Sequence, residues 1–155
     1  MKKILFLILI ILMNCSSKKS ESTNLDVELK KNWTEFNTKD SIPELLNLAL
    51  KKILKNNFEI ANPNEKFNQT DVLVYDSSPI RQLKFLSKKN NTWRIVYIQG
   101  GIGKHYVYAE CKIINDSISD FKISQTTLNL VNNDSIDKYL AKKKLKPNSV
   151  KIIMK

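Results

Sequence analysis

The chain is 155 residues long and carries a formal net charge of +11 at pH 7, a length that suits one ordinary domain with a real core. Arginine is found only at Arg81 and Arg94, so 24 of the 26 basic residues are lysine. Because phosphate and base recognition favour the planar guanidinium, this composition argues against a nucleic-acid partner and fits attraction to anionic surfaces.

The N-terminus has the pattern of a targeting signal. Two lysines precede ten apolar residues (4–13), which is about half the length needed to cross a bilayer but typical of a signal-peptide core. The segment resembles the signal of bacterial lipoproteins, in which a peptidase cuts before a lipid-carrying cysteine and an aliphatic residue lies three positions earlier. Leu12 and Cys15 match that pattern. The resemblance implies a signal peptide over 1–14 and acylation, for example with palmitate, at Cys15.

The alternative is an ordinary secretory signal that is cleaved elsewhere and leaves Cys15 discarded or as a free thiol. The polar stretch 15–24 favours the lipoprotein, since it contains no Ala-x-Ala cleavage site and is typical of a flexible tether. Ser16 is not the aspartate that retains lipoproteins at the inner membrane in the best-known sorting rule. The resemblance therefore implies the bacterial cell envelope, with the outer membrane favoured, and a bilayer partner held through Cys15.

Helical spacing dominates the first part of the single domain that we expect over 25–155. Apolar residues at 25, 29, 33 and 36 predict an amphipathic helix over 25–36. A capping-box pattern from Ser41 to Glu44 then precedes a broad apolar face that reaches Leu54. The second pattern predicts a long N-terminal helix that must cover something apolar.

From about residue 69 the pattern changes to short β-rich runs separated by turn residues. The predicted strands cover 72–75, 81–87, 92–98, 104–114 and 118–126. Connections this short join antiparallel neighbours, which predicts a meander. Asp134 then caps a short helix, and alternation over 150–154 predicts a last strand. The predicted fold is α+β, with five or six strands and the long helix across one face, in shape cystatin-like or nuclear-transport-factor-like.

All three glycines of the chain lie within residues 100–103. Because both flanks are predicted strands, this segment favours a hairpin turn with a bulge over a phosphate-binding loop, which would lead into a helix. Ile102 projects from the turn and is a candidate partner contact. Two further candidates, Tyr106 and Tyr108, share one face of the following strand. We expect them to be covered by the 25–36 segment or else left open to a partner.

Nothing in the sequence forms a catalytic constellation. The single histidine, His105, lies six residues from Cys111 along a strand, or about 20 Å, too far for a nucleophilic pair. Cys111 has apolar neighbours on its face and is predicted to be an inert buried thiol. We therefore predict no catalytic residue, metal or cofactor, and a non-enzymatic module that binds an unknown envelope protein or surface component. The alternatives are an inhibitor or immunity-type protein and, third, a small hydrolase centred on His105.

Overall fold

The computed structural model describes residues 32–55, 57–70 and 77–152, within a compact unit that spans Asn32–Lys155. Several predictions lie outside these residues. They are the signal peptide over 1–14, acylation of Cys15, the tether, most of the 25–36 helix, the 72–75 strand and the end of the 150–154 strand.

The described residues form an α+β structure, which confirms the predicted class. Six antiparallel strands follow one another across the sheet in sequence order, as a meander. The strands are β1 (Thr34–Phe36), β2 (Arg81–Lys89), β3 (Thr92–Gln99), β4 (His105–Ile114), β5 (Ser117–Thr126) and β6 (Asn148–Ser149). The helices are α1 (Glu44–Leu54) and α2 (Asn133–Ala141). Neither of these two helices has the length and apolarity needed to span a membrane.

Two predicted elements differ from the structure. The end of the 25–36 segment is strand β1, in which Thr34 pairs with Lys88, rather than helix. The three-residue interval between Trp33 and Phe36 imitates helical spacing, but in an extended chain it places their side chains on opposite sides. Among the described residues the last strand is Asn148–Ser149, which begins before the predicted 150–154 strand, while residues 150–152 are not in a strand.

Helix α1 lies where the second helical pattern predicts it, although its cap differs. The N-cap residue is Pro43, which makes no side-chain cap, so the capping box from Ser41 is not formed. The helix is only eleven residues long, and it ends at Leu54 because the next residue, Lys55, has a left-handed φ of 54°. Its buried residues are Leu46, Ala49 and Leu50, and they pack on one face of the sheet.

Both faces of the sheet centre are covered, because Arg94 to Ile98 of β3 are all buried. A bulge at Lys84 sends Leu83 and Leu86 to the α1 side and Phe85 to the other. The second face carries apolar side chains from α2 and its flanking loops, namely Leu130, Ile136 and Leu145. The expectation that the 25–36 segment closes this face is corrected for its described residues, of which Trp33 and Glu35 reach this side at the edge of the cover that α2 provides.

Candidate functional site

The β3–β4 connection is the predicted hairpin turn, and hydrogen bonds to residues that precede β2 hold its base in place. Gly100 donates a hydrogen bond to the carbonyl of Ile80 at 2.8 Å, and Gly101 donates one to Gln69 at 3.2 Å. A side chain at Gly100 would overlap the carbonyl oxygen of Asn68, so this close approach requires glycine. We call residues 100–104 the hairpin tip.

The structure separates the three candidate contact residues. Ile102 is 94% exposed on the hairpin tip, whereas Tyr106 is half-buried and its hydroxyl donates to Asn129 Oδ1 at 3.1 Å. Tyr108 is only 1% exposed, so a partner cannot reach it. The expected tyrosine-rich surface is therefore wrong in part, because α2 and its loops cover the face on which Tyr108 lies. Ile102 remains as the exposed candidate.

His105 and Cys111 are placed as strand residues without a shared site. His105 Nδ1 lies 3.2 Å from the carbonyl oxygen of Gly103, and among the described residues no carboxylate hydrogen-bonds the ring. Cys111 is 1% exposed in the core beneath α1. Burial raises the pKa of its thiol to about 12, which keeps the sulfur protonated and unreactive at neutral pH. The predicted burial of Cys111 is confirmed.

An ion cluster that the sequence analysis does not predict surrounds Arg94, which is 3% exposed. The guanidinium donates to Glu110 Oε2 from Nε at 3.1 Å and from Nη2 at 2.9 Å. Its Nη1 lies 3.0 Å from Asp137 Oδ1 and donates to Asn133 Oδ1 at 3.2 Å. The ring of Trp33 stacks on the same group, with 3.9 Å between the guanidinium carbon and the ring centroid. We call these residues the Arg94 cluster.

Neighbouring polar groups extend the Arg94 cluster into a network across five elements. Asn133 also accepts a hydrogen bond from Ser87 Oγ at 3.0 Å and donates to Glu35 Oε1 at 2.9 Å. The hydroxyl of Tyr108 donates to Glu110 Oε2 at 2.9 Å. Burial, followed by the Glu110 charge, raises the pKa of Tyr108, so the phenol stays a neutral donor. The network joins β1, β2, β3 and β4 to the start of α2.

The second arginine is also buried, at 5% exposure. Arg81 lies over the Phe58 ring at 5.6 Å, and its Nη1 donates to the Asn57 carbonyl at 3.4 Å. Nearby, burial raises the pKa of Tyr97 to about 12. The two arginines of this lysine-rich chain thus serve as buried structural groups. Their rarity is the sequence signal that could have pointed to these sites.

A cleft of about 330 Å³ opens beside the Arg94 cluster, lined by Trp33, Lys89, Asn90, Thr92, Arg94, Glu110 and Asp137. Neither histidine nor cysteine lines it, and its buried guanidinium is already bound to two carboxylates. Within residues 32–55, 57–70 and 77–152, no group of three His, Cys, Asp or Glu side chains could hold a metal ion. The geometry of the Arg94 cluster is that of a structural clamp.

Comparison with known proteins adds no assignment, since no protein family, no curated protein and no solved structure shows a significant match to this chain.

Proposed function

We propose that the protein is a membrane-anchored lipoprotein of the bacterial cell envelope whose folded domain is a non-enzymatic interaction module. The observation that carries the proposal is Ile102, a bulky apolar side chain that is 94% exposed on a hairpin with a fixed base. Removing apolar surface from water is the dominant favourable contribution to most protein association, and a preorganised loop loses little entropy on binding. We therefore assign partner contact to the hairpin tip.

The place where the chain enters the sheet supports this assignment. Thr34 at the start of β1 pairs with Lys88, beside the β2–β3 turn. Gln99 and the hairpin tip lie at the other end of β3, whose eight residues extend about 26 Å. Chain arriving from the proposed lipid anchor at Cys15 thus enters at one end of the sheet, and Ile102 lies at the opposite end. The hairpin tip therefore lies at the end of the sheet opposite to the start of β1.

Two finer parts of the proposal concern shape and partner. An antiparallel meander with α1 across one face is the arrangement of cystatin-like and nuclear-transport-factor-like folds, a likeness that carries no function. A protruding apolar hairpin also suits insertion into the cleft of a toxin or hydrolase, which keeps an inhibitor or immunity-type protein as the second candidate. The identity of the bound protein decides between the two.

Site-specific photocrosslinking in intact cells tests the proposed contact. A photoreactive amino acid in place of Ile102 should give one discrete adduct band, and the same residue in place of Leu48 provides the control. Leu48 is apolar and 44% exposed, but it lies on α1. Because the contact is assigned to the hairpin tip, we expect the adduct at position 102 alone.

A charged side chain gives the complementary experiment. In this experiment the photoreactive amino acid is placed at position 104, next to the contact. Ile102→Asp should then abolish the adduct, because burying an aspartate in an apolar pocket without a partner is costly. Equal adduct yields at positions 102 and 48, or no adduct at either, would rule out the hairpin tip as the contact.

A further inference from the structure

Five exposed lysines lie close together in the sequence at the end of α2 and in the loop that follows. They are Lys138, Lys142, Lys143, Lys144 and Lys146, which we call the lysine patch. Among the described residues, no ion pair or side-chain hydrogen bond engages any of the five. Asp134 lies one helical turn before Lys138 on the same face but forms no ion pair among the described residues, and Asp137 is bound to Arg94. Five lysines beside this one free carboxylate leave the lysine patch with a net positive charge.

The backbone beneath the lysine patch is well defined. Asn132 and Ser135 form a capping box at the start of α2. At its end Lys143 adopts a left-handed φ of 53°, and the amides of Lys144 and Leu145 both donate to the Tyr139 carbonyl, at 2.9 and 3.2 Å. Leu145 itself is buried at 3% exposure and holds this loop on the sheet. The five charges are thus displayed on a packed element.

Apolar surface accompanies the charge. A groove of about 360 Å³ is lined by Val131, Asn132, Asp134, Ser135, Lys138, Tyr139, Lys142 and Lys144. Val131 is 51% exposed, and Tyr139, which is half-buried, also lines the groove. Lysine, an aromatic ring and a small aliphatic side chain are together typical of surfaces that rest at the headgroup level of a bilayer.

We propose that the lysine patch docks on anionic phospholipid headgroups. Each lysine near such a surface adds about 1 kcal/mol of attraction, and a hydrated point charge suits a diffuse layer of phosphates better than a bidentate site. The proposal rests on the proposed lipid anchor in one respect. The sixteen residues between Cys15 and Asn32 span at most about 55 Å, which would keep the domain within reach of the bilayer.

Vesicle flotation tests the docking with the full chain carrying Cys15→Ser, so that acylation plays no part. The chain is mixed with vesicles of phosphatidylcholine alone or of an equal mixture with phosphatidylglycerol. We expect the ratio of binding, anionic over neutral, to fall by about tenfold or more when Lys138, Lys142 and Lys144 are all changed to glutamine. For the protein with its five lysines intact, the same ratio should fall close to one when salt rises from about 0.15 M to about 1 M, because salt screens the attraction.

The control removes the same charge from three exposed lysines elsewhere, Lys55, Lys84 and Lys112. It should leave the ratio within about twofold, since those lysines are dispersed over α1, β2 and β4. An equal loss in both triple variants, or no preference for anionic vesicles, would overturn the docking proposal. Polyglutamate can be added at the same total negative charge as the vesicles. If it displaces the protein from them, the lysine patch prefers an acidic protein, which would also contradict the docking proposal. Acylation of Cys15 is decided by a separate measurement, so the two proposals fail independently.

Discussion

Replacing Arg94 by methionine should lower the free energy of unfolding by about 3–5 kcal/mol, the range for breaking a buried ion pair from one side. The side chain of Arg94 is 4% exposed and holds Glu110 at 2.9 Å and Asp137 at 3.0 Å. Methionine fills most of the volume, but it leaves the Glu110 carboxylate without its counter-ion in a half-buried position. Equilibrium urea unfolding of the otherwise unchanged chain gives the value.

Two further variants test whether the loss of stability comes from the burial of this ion pair or from the loss of any ion pair. The exposed pair of Lys122 and Asp120 has the same 2.9 Å separation, yet Lys122→Met should cost no more than about 1 kcal/mol because water screens it. Adding Glu110→Gln to Arg94→Met should recover part of the loss, since the carboxylate that still lacks Arg94, Asp137, is 53% exposed to water. If Arg94→Met and Lys122→Met destabilised the protein equally, the Arg94 cluster would not be a structural clamp.

Replacing Leu50 by alanine should lower the free energy of unfolding by about 2–5 kcal/mol. Leu50 is fully buried between α1 and the sheet, so the change leaves a cavity beside Leu46 and Ala49. The loss combines the transfer free energy of the removed methyl groups with the packing that the surrounding side chains cannot restore. Thermal or urea unfolding, followed by the circular dichroism of the sheet, provides the measurement.

Leu48→Ala is the matched control, because the same substitution is made two residues away in the same helix. Leu48 is 44% exposed, and we expect its loss to stay below about 1 kcal/mol. Helix propensity changes equally at both positions, so the difference between them reports burial alone. Equal values for the two variants would mean that α1 does not pack on the sheet through its Leu50 face.

Local patterns were enough to predict the meander and α1. The strands β2 to β5 are short β-rich runs joined by tight turns, and each of these turns is encoded by neighbouring residues, as at the glycines of the hairpin tip. The apolar face of α1 is likewise a local repeat. Strand β1 was missed because three residues are too few to show alternation, and its partner Lys88 lies far along the chain.

The Arg94 cluster shows why the candidate site could be predicted only in part. Arg94 and Glu110 are cross-strand partners, so their contact depends on the β3–β4 register, which the sequence leaves open. Asn133 lies 39 residues from Arg94, and no spacing rule links the two positions. The exposure of Ile102 followed from its place in a glycine turn. The burial of Tyr108 did not, because it depends on where α2 and its loops pack. Strand periodicity assigns a residue to a face, whereas tertiary packing determines whether that face is open.

The mass of the mature N-terminus tests the proposed envelope lipoprotein most directly. The protein is purified from cells of its own host, digested, and the N-terminal peptide is measured by mass spectrometry, with Cys15→Ser as the control. We expect the chain to begin at Cys15 with added acyl mass, and the serine variant to keep residues 1–14. A mature chain that begins at any other residue, or at an unmodified Cys15, would contradict the lipid anchor.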